Sequence, residues 1–252
     1  FASAGRSSVL RRSAIARRSI AKPCALPPAR EAGFTRFDRF VSVIFNFEFL
    51  LMSTILPLAY LPSVEYFTHL LRGGCVVDLG EHFVKRSERN RARILASDGV
   101  MELTVHVRNA NRPRQPVRDV RLDYSKRWQH QHWGALVASY RSSPYFDFYA
   151  GRFEPFYRRE WEFLADYNLG LLEVLCSLAG VPMPELSRTY VEAAPGDLDL
   201  RPKRKEGPAL IAEPYFQVFS ERMPFVPNLS FADLLFAEGP ASVSVLGRCR
   251  QG

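Results

Sequence analysis

The chain has only four cysteines in 252 residues, Cys24, Cys75, Cys176 and Cys249, and no two of them form a C-x-x-C pair. That scarcity excludes a zinc ribbon and a disulfide framework, and fits a reducing, cytoplasmic compartment. Cys75 and Cys176 lie in apolar runs and read as small core residues. No P-loop, G-x-G-x-x-G, G-x-S-x-G or H-E-x-x-H occurs, and no internal repeat. The common nucleotide-binding, serine-hydrolase and zinc-protease readings therefore have no support.

A broad basic face is also missing. The formal net charge is +8, but residues 1–51 hold nine Lys or Arg against three acids, leaving 25 against 23 in the rest. The body is nearly neutral, which argues against nucleic acid as a partner. No uninterrupted membrane-length run exists either. Residues 40–61 are largely apolar, but Asn46 and Glu48 lie within them and Pro57 breaks a helix, so no stable membrane span is expected.

Acids are absent from Phe1 to Arg30, a stretch rich in Arg, Ser and Ala with Pro23, Pro27 and Pro28. An organelle transit peptide has this composition. Translated upstream sequence is the other reading, and the favoured one, since the first methionine is Met52. Residues 1–51 are expected to be a disordered or non-native basic leader, and residues 52–252 a single domain. With 47% apolar and 13% aromatic residues, the chain supports a buried core.

From Met52 onward the periodicity gives an order of elements. Residues 54–60 read as a strand, 64–71 as an amphipathic helix closed by Gly73-Gly74, and 75–79 as a second strand. Strand, helix, strand favours a parallel pair. Residues 91–96 and 100–107 flank Asp98-Gly99 as a hairpin, and 117–124 alternates like a further strand. Helical spacing then takes over from Arg127 until the Ser143-Pro144 turn, and again over 148–163 and 166–178. Residues 186–192 read as a return to the sheet, and 193–208 as a mobile surface loop. Ser230-Phe231-Ala232-Asp233 is a capping-box pattern that opens a short helix. The fold class expected is α/β, a mixed, partly parallel twisted sheet with flanking helices, with α+β as the alternative.

The residues with chemistry cluster in D-L-G-E-H-F-V-K-R-S-E-R-N-R-A-R-I, Asp78 to Ile94. A strand that delivers a carboxylate and then several guanidinium groups to one edge can hold a phosphorylated or carboxylated ligand. On a helix Lys85, Arg89 and Arg93 align, whereas on a strand Arg89, Arg91 and Arg93 share a side. The bland reading is a solvated charged face with Glu88 as a partner. Asp78 is a candidate base, or equally the cap of the following turn. His82 is a further candidate, or a packed, hydrogen-bonded histidine.

His130 and His132 point about 200° apart on a helix, so they do not chelate one metal ion, and no metal is expected. His132, one turn after Trp128, is a candidate general acid or base. The aromatics around Pro144 read as core, with a stacking wall for a base or sugar as the sharper alternative.

These residues resemble the WbqC-like family. The likeness is carried by Tyr60-Leu61-Pro62 with Glu65-Tyr66-Phe67, Val77-Asp78, Lys85-Arg86, Asn90-Arg91 with Ile94, Trp128 with His132, and Tyr140 with Ser143-Pro144-Tyr145-Phe146. Pro227-Asn228-Leu229-Ser230 and Asp233-Leu234-Leu235-Phe236 extend it to about residues 55–240. Leu58-Ala59, Glu65 and Leu79 stand where many members have Gln-Pro, Gly and a second Asp.

The resemblance implies surface-polysaccharide (O-antigen type) biosynthesis and transfer of a glycine-like aminoacyl or acyl group to a sugar or nucleotide-sugar. In that reading Lys85, Arg89 and Arg91 hold phosphate or carboxylate, and Asn90 orients a polar group. Asp78 or His132 takes a proton, and Tyr60, His82 and Trp128 complete the binding set. A non-catalytic nucleotide-sugar-binding or assembly protein of the same pathway is the alternative. Nucleotidyl transfer is a third, lacking its phosphate signature. The sequence identifies no cofactor and no oligomeric state.

Overall fold

In a computed structural model, residues 53–202 and 210–251 are described. The basic leader and the domain start at Met52 lie outside the described residues, as does the part of the expected loop from residue 203 to 208.

The first three elements follow the sequence closely. Strand β1, Thr54–Pro57, is followed by helix α1, Val64–Arg72, and strand β2, Cys75–Asp78. The strands pair in parallel, Thr54 beside Cys75 through Pro57 beside Asp78. Ser63 caps α1 by accepting from the Tyr66 N–H, and Gly73 ends it at φ 82°, a left-handed value that glycine adopts without a steric cost. Val64, Phe67 and Leu70 are buried, and Phe67 stacks on Phe231 with ring centroids 3.8 Å apart. β1 stops at Pro57 rather than Tyr60, because the next N–H groups turn elsewhere: Leu58 donates to Glu81 Oε1 (3.3 Å) and Tyr60 to the Glu88 carbonyl (2.8 Å).

Strands β3, Arg91–Ala96, and β4, Gly99–Thr104, form the expected antiparallel hairpin. Its turn is Ser97-Asp98, one residue earlier than anticipated, with Gly99 opening β4 at φ 128°. Residues 117–124 are not a strand. Val117–Asp119 is a 3-10 turn, and the backbone donors of the segment go to scattered acceptors: Val117 to Glu81, Arg118 to Leu79, Leu122 to Glu162. The alternation seen in sequence reflects a strap fastened crosswise over the core, which buries Val117, Val120 and Leu122.

Three helices follow: α2, Trp128–Tyr140; α3, Phe146–Arg158; and α4, Leu164–Ala179. α3 starts and ends earlier than the spacing predicts. It begins after Pro144, and Phe163 adopts extended backbone just before α4. Gly180 closes α4 in the left-handed conformation. Tyr140, Phe146 and Phe153 pack on Phe236, so this part of the aromatic set is core, while Phe148 is 78% exposed.

Strand β5, Glu185–Ser187, is all that returns to the sheet from residues 186–192. Strand β6, Leu198–Asp199, lies inside the segment expected to be a loop. Leu198 donates to the Ser53 carbonyl, Leu200 to that of Ile55, and the Asp197 side chain accepts from the Ser53 N–H. Strands β7, Leu210–Ile211, and β8, Arg250–Gln251, form a small antiparallel pair around helices α5, Phe231–Glu238, and α6, Ser242–Arg248.

The architecture is α/β: a four-stranded parallel sheet, order β5-β2-β1-β6, flanked by helices. The antiparallel strand pairing expected within a mixed sheet lies in two separate two-stranded sheets, the β3–β4 hairpin and the β7–β8 pair. β1 sits at the point where the chain leaves toward β2 on one side and returns as β6 on the other. In open parallel sheets, crevices for ligands form beyond the carboxyl ends of strands at such a reversal. Among the described residues no helix is long and apolar enough to cross a membrane.

Candidate functional site

Two buried ion pairs close the carboxyl edge of the sheet. Asp78 ends β2 and is fully buried. Its Oδ1 accepts from the N–H groups of Gly80 (2.8 Å) and Glu81 (3.0 Å). Its Oδ2 accepts from Val191 N–H (3.1 Å) and Arg201 Nη1. Both oxygens are thus occupied by turn capping and an arginine. Gly80 is required here: a Cβ on it would lie 2.2 Å from the Tyr190 backbone nitrogen.

Glu81 faces Arg89, which donates Nε to Oε1 (2.9 Å) and Nη2 to Oε2. Burial pushes the Glu81 carboxyl up to about 7, while Arg89 pulls the other way. The bidentate Arg89 guanidinium opposes that burial by favouring the ionised carboxylate. Arg89 also reaches Ser87 Oγ (3.2 Å) and the Arg201 carbonyl (3.0 Å). Arg201 donates in addition to Asp199 and to the Val191 carbonyl. The pairs Asp78–Arg201 and Glu81–Arg89 are therefore linked into one chain that ties β2, β6 and the β2–β3 loop together.

A cleft of about 250 Å³ opens beside this chain. Its walls are Leu56 and Pro57 from β1, Leu200 to Pro202 after β6, the α1 face bearing Glu65, Tyr66 and His69, and Arg91 and Arg93 from β3. The α1 terminus does not supply anion donors. The N–H groups of Val64, Glu65 and Tyr66 are taken by the Leu229 carbonyl, Asn228 Oδ1 and Ser63 Oγ. The charge comes from side chains: Arg86, Arg89, Arg91, Arg93 and Arg201 line the cleft together with Glu65, Glu88 and Glu102, so the arginines are in excess.

A second, slightly larger cavity of about 310 Å³ is lined by Arg108, Arg121, Tyr124, Glu160, Trp161 and Glu162. Arg121 is paired there with Glu162. Trp161 is covered by Phe156, stacked at 5.3 Å, and by the Arg159 guanidinium at 3.8 Å. Of Arg108 and Arg121, the latter is thus already spent on Glu162.

Of the residues singled out by sequence, Arg89, Arg91 and Arg93 reach the cleft. Arg91 is paired with Glu102, and its Nε is buried without a hydrogen-bond partner. Asn90 is buried, donating to the Val105 carbonyl (3.1 Å). Lys85 is exposed and donates to Asn111 (2.7 Å), and His82 is exposed in a backbone bridge to Pro116.

Tyr60, Trp128 and His132 belong to a buried aromatic cluster that does not line the cleft. The Tyr60 hydroxyl shares hydrogen bonds with His132 Nδ1 (2.9 Å) and the Tyr157 hydroxyl (3.1 Å). Trp128 packs edge-on against His132 at 5.3 Å and donates Nε1 to the Asp123 carbonyl (2.9 Å). Burial pushes the His132 pKa down to about 4, outweighing a hydrogen bond with the Thr104 backbone. His132 is thus hydrogen-bonded and packed inside the core, where burial disfavours its charged form. The imidazole in the cleft is that of His69.

Sequence reasoning missed His69, Glu65, Arg86 and Arg201 as cleft residues. His69 and Glu65 were readable only as α1 positions, and Arg201 lay in a segment read as a loop. Among the described residues no group of three or more His, Cys, Asp or Glu is arranged to hold a metal ion. Cys75, Cys176 and Cys249 are buried and unpaired, and burial pushes the Cys75 thiol up to about 11.

Comparison with known proteins gives a consistent placement. The sequence model of the WbqC-like protein family matches residues 59–199, more than half of the chain. A relative described as an uncharacterized protein of Mycobacterium tuberculosis is 28% identical over 198 residues, covering 67% of this chain and 85% of its own. No solved structure matches.

Proposed function

The chain belongs to the WbqC-like protein family, and from that premise we propose that it is a cytoplasmic transferase whose substrate site is the arginine-walled cleft. It moves an aminoacyl or other acyl group onto a sugar or nucleotide-linked sugar in surface polysaccharide (O-antigen type) synthesis. The observation that carries this reading is the cleft itself: guanidinium groups presented at the carboxyl edge of a parallel sheet, beside an imidazole. The pathway and the group transferred rest on the family resemblance.

In this reading the donor is an acyl group activated by phosphate. The acceptor amine or hydroxyl attacks the acyl carbonyl carbon, and the bond from that carbon to the phosphate oxygen breaks. The oxygen leaves with the bonding electrons, and the arginines stabilise the departing phosphate by charge-assisted hydrogen bonds. The acceptor's proton goes to His69, which replaces Asp78 and His132 in that role. Asp78 acts instead as the anchor of Arg201 and hence of the cleft wall. The domain carrying this site is taken to run from residue 52 to 252.

The test is mass-spectrometric detection of acylated amino sugar from acyl phosphate donors, with wild type and with His69→Asn. Product formed by wild type and reduced at least a hundredfold in the variant supports the reading, whereas unchanged turnover in a folded variant rejects His69. The placement of Asp78 and His132 outside the reacting space favours a second reading, a non-catalytic binding or assembly protein of the same pathway. It predicts saturable binding with no product from any donor.

A further inference from the structure

We propose that the cleft takes a compact ligand ending in a single phosphate group and carrying no nucleoside, and that Arg86 and Arg93 are its principal anion contacts. This rests on the cleft being the substrate site. The five arginines of the cleft differ in what already occupies them. Arg89 and Arg201 are buried, and each is spent on carboxylates and backbone carbonyls. Neither can turn to a ligand without leaving a buried Glu81 or Asp78 unpaired, at a cost that disfavours it. Arg91 is held by Glu102 through Nη1, with its Nε–H unpaired. Arg86 and Arg93 are exposed and make no ion pair among the described residues. An incoming phosphate therefore meets these two guanidinium groups first and the unpaired Nε–H of Arg91 next.

Arg86 also sits in an unusual backbone conformation. Its φ is 57°, a left-handed conformation that a long L side chain adopts at a steric cost. The residue after it fixes that conformation: Ser87 Oγ donates to the Val84 carbonyl (2.5 Å) and accepts from Arg89 Nη1 (3.2 Å). The Ser87 carbonyl also accepts from Asn90 N–H (3.1 Å). Glycine would fit the turn without that cost, so Arg86→Gly removes the guanidinium without straining the fold.

The size and lining of the cleft define the rest of the ligand. About 250 Å³ is below the usual range for drug-sized pockets, roughly 300–1,000 Å³. The described walls suit a small monophosphate better than a nucleotide-sugar, whose base, ribose, diphosphate and second sugar would extend past them. Among the described lining residues the only aromatic rings are those of Tyr66 and His69. Tyr66 is buried with its hydroxyl donated to the Pro57 carbonyl (3.1 Å), and the remaining apolar wall is Leu56, Pro57, Leu200 and Pro202. Aliphatic walls suit a sugar ring or short acyl chain.

The test is isothermal titration of the full chain with inorganic phosphate, glucosamine 1-phosphate and UDP-glucose, using wild type, Arg86→Gly and Arg93→Gln. Glucosamine 1-phosphate is expected to bind at least tenfold more tightly than UDP-glucose, and each variant to lose at least tenfold in affinity. Arg86→Gly is expected to melt no lower than wild type, which a merely structural arginine would not combine with lost binding. UDP-glucose binding as tightly as the sugar phosphate, still weakened by Arg93→Gln, overturns the ligand class and leaves the cleft as the site. Phosphate probes that bind both variants like wild type overturn the two contacts alone, whereas probes that bind none of the proteins overturn the cleft reading itself.

Discussion

Arg201 reaches across 123 positions of sequence to place Nη1 against the buried Oδ2 of Asp78. That contact joins the end of β2 to the segment after β6 and so forms one wall of the cleft. Removing one partner of a buried pair leaves the other charge unpaired, a loss of about 3–5 kcal/mol. Asp78→Asn is expected to lose stability on that scale in urea denaturation, and a change below about 0.5 kcal/mol would show the pair to be dispensable.

The Gly80 backbone lies against Tyr190, where a Cβ would meet main chain at 2.2 Å. Gly80→Ala therefore has to displace the residue 189–190 backbone, a steric conflict of about 1–3 kcal/mol. Hydrogen exchange should show faster exchange at Val191, whose N–H donates to Asp78. Unchanged protection there contradicts the close approach.

His132 sets an acid dependence. Its ordinary value of 6.5 falls to about 4 in the fold, so the unfolded chain binds the proton more readily between those values. The corresponding stability is present above pH 6.5 and is lost as pH falls toward 4, up to about 3 kcal/mol. Glu81, shifted from 4.5 to about 7, contributes with the opposite sign, losing stability as pH rises through that window. The His132 share is therefore read as a difference: His132→Phe is expected to remove the falling acid arm between pH 6.5 and 4. Parallel stability curves for wild type and variant would exclude it.

Phe67 stacks on Phe231 with both rings fully buried. Phe67→Ala is expected to cost about 3–5 kcal/mol by loss of burial and creation of a cavity. Arg93→Ala, on the exposed side of β3, should stay within about 0.5 kcal/mol of wild type in the same assay. Equal losses in the two variants would contradict the division between core and cleft.

Local signals made much of this legible in the sequence. Ser63, the apolar spacing of α1 and Gly73 fix one helix, and a two-residue turn before Gly99 fixes the hairpin, because capping and turn chemistry act over a few residues. β6 was not legible, since two residues carry no period and its register depends on backbone groups of Ser53 and Ile55. The strap at residues 117–124 copied a strand's alternation without a strand neighbour. At the cleft, the arginine cluster was visible but not the sorting within it. Arg89 is neutralised by Glu81, eight residues earlier, and Arg201 by Asp78, far away in sequence. His132 looked like a neutral-pH base because its partner Tyr60 lies 72 positions away.

The central claim, that the cleft binds an anion through its uncommitted arginines, is tested most directly by NMR. Arginine Nε–Hε resonances of the full chain would be followed during titration with inorganic phosphate. The account predicts saturable shifts at Arg86, Arg91 and Arg93, with Arg108 and Arg121 at the second cavity unmoved. Shifts confined to Arg108 and Arg121, or no saturable shift at any arginine, would contradict it.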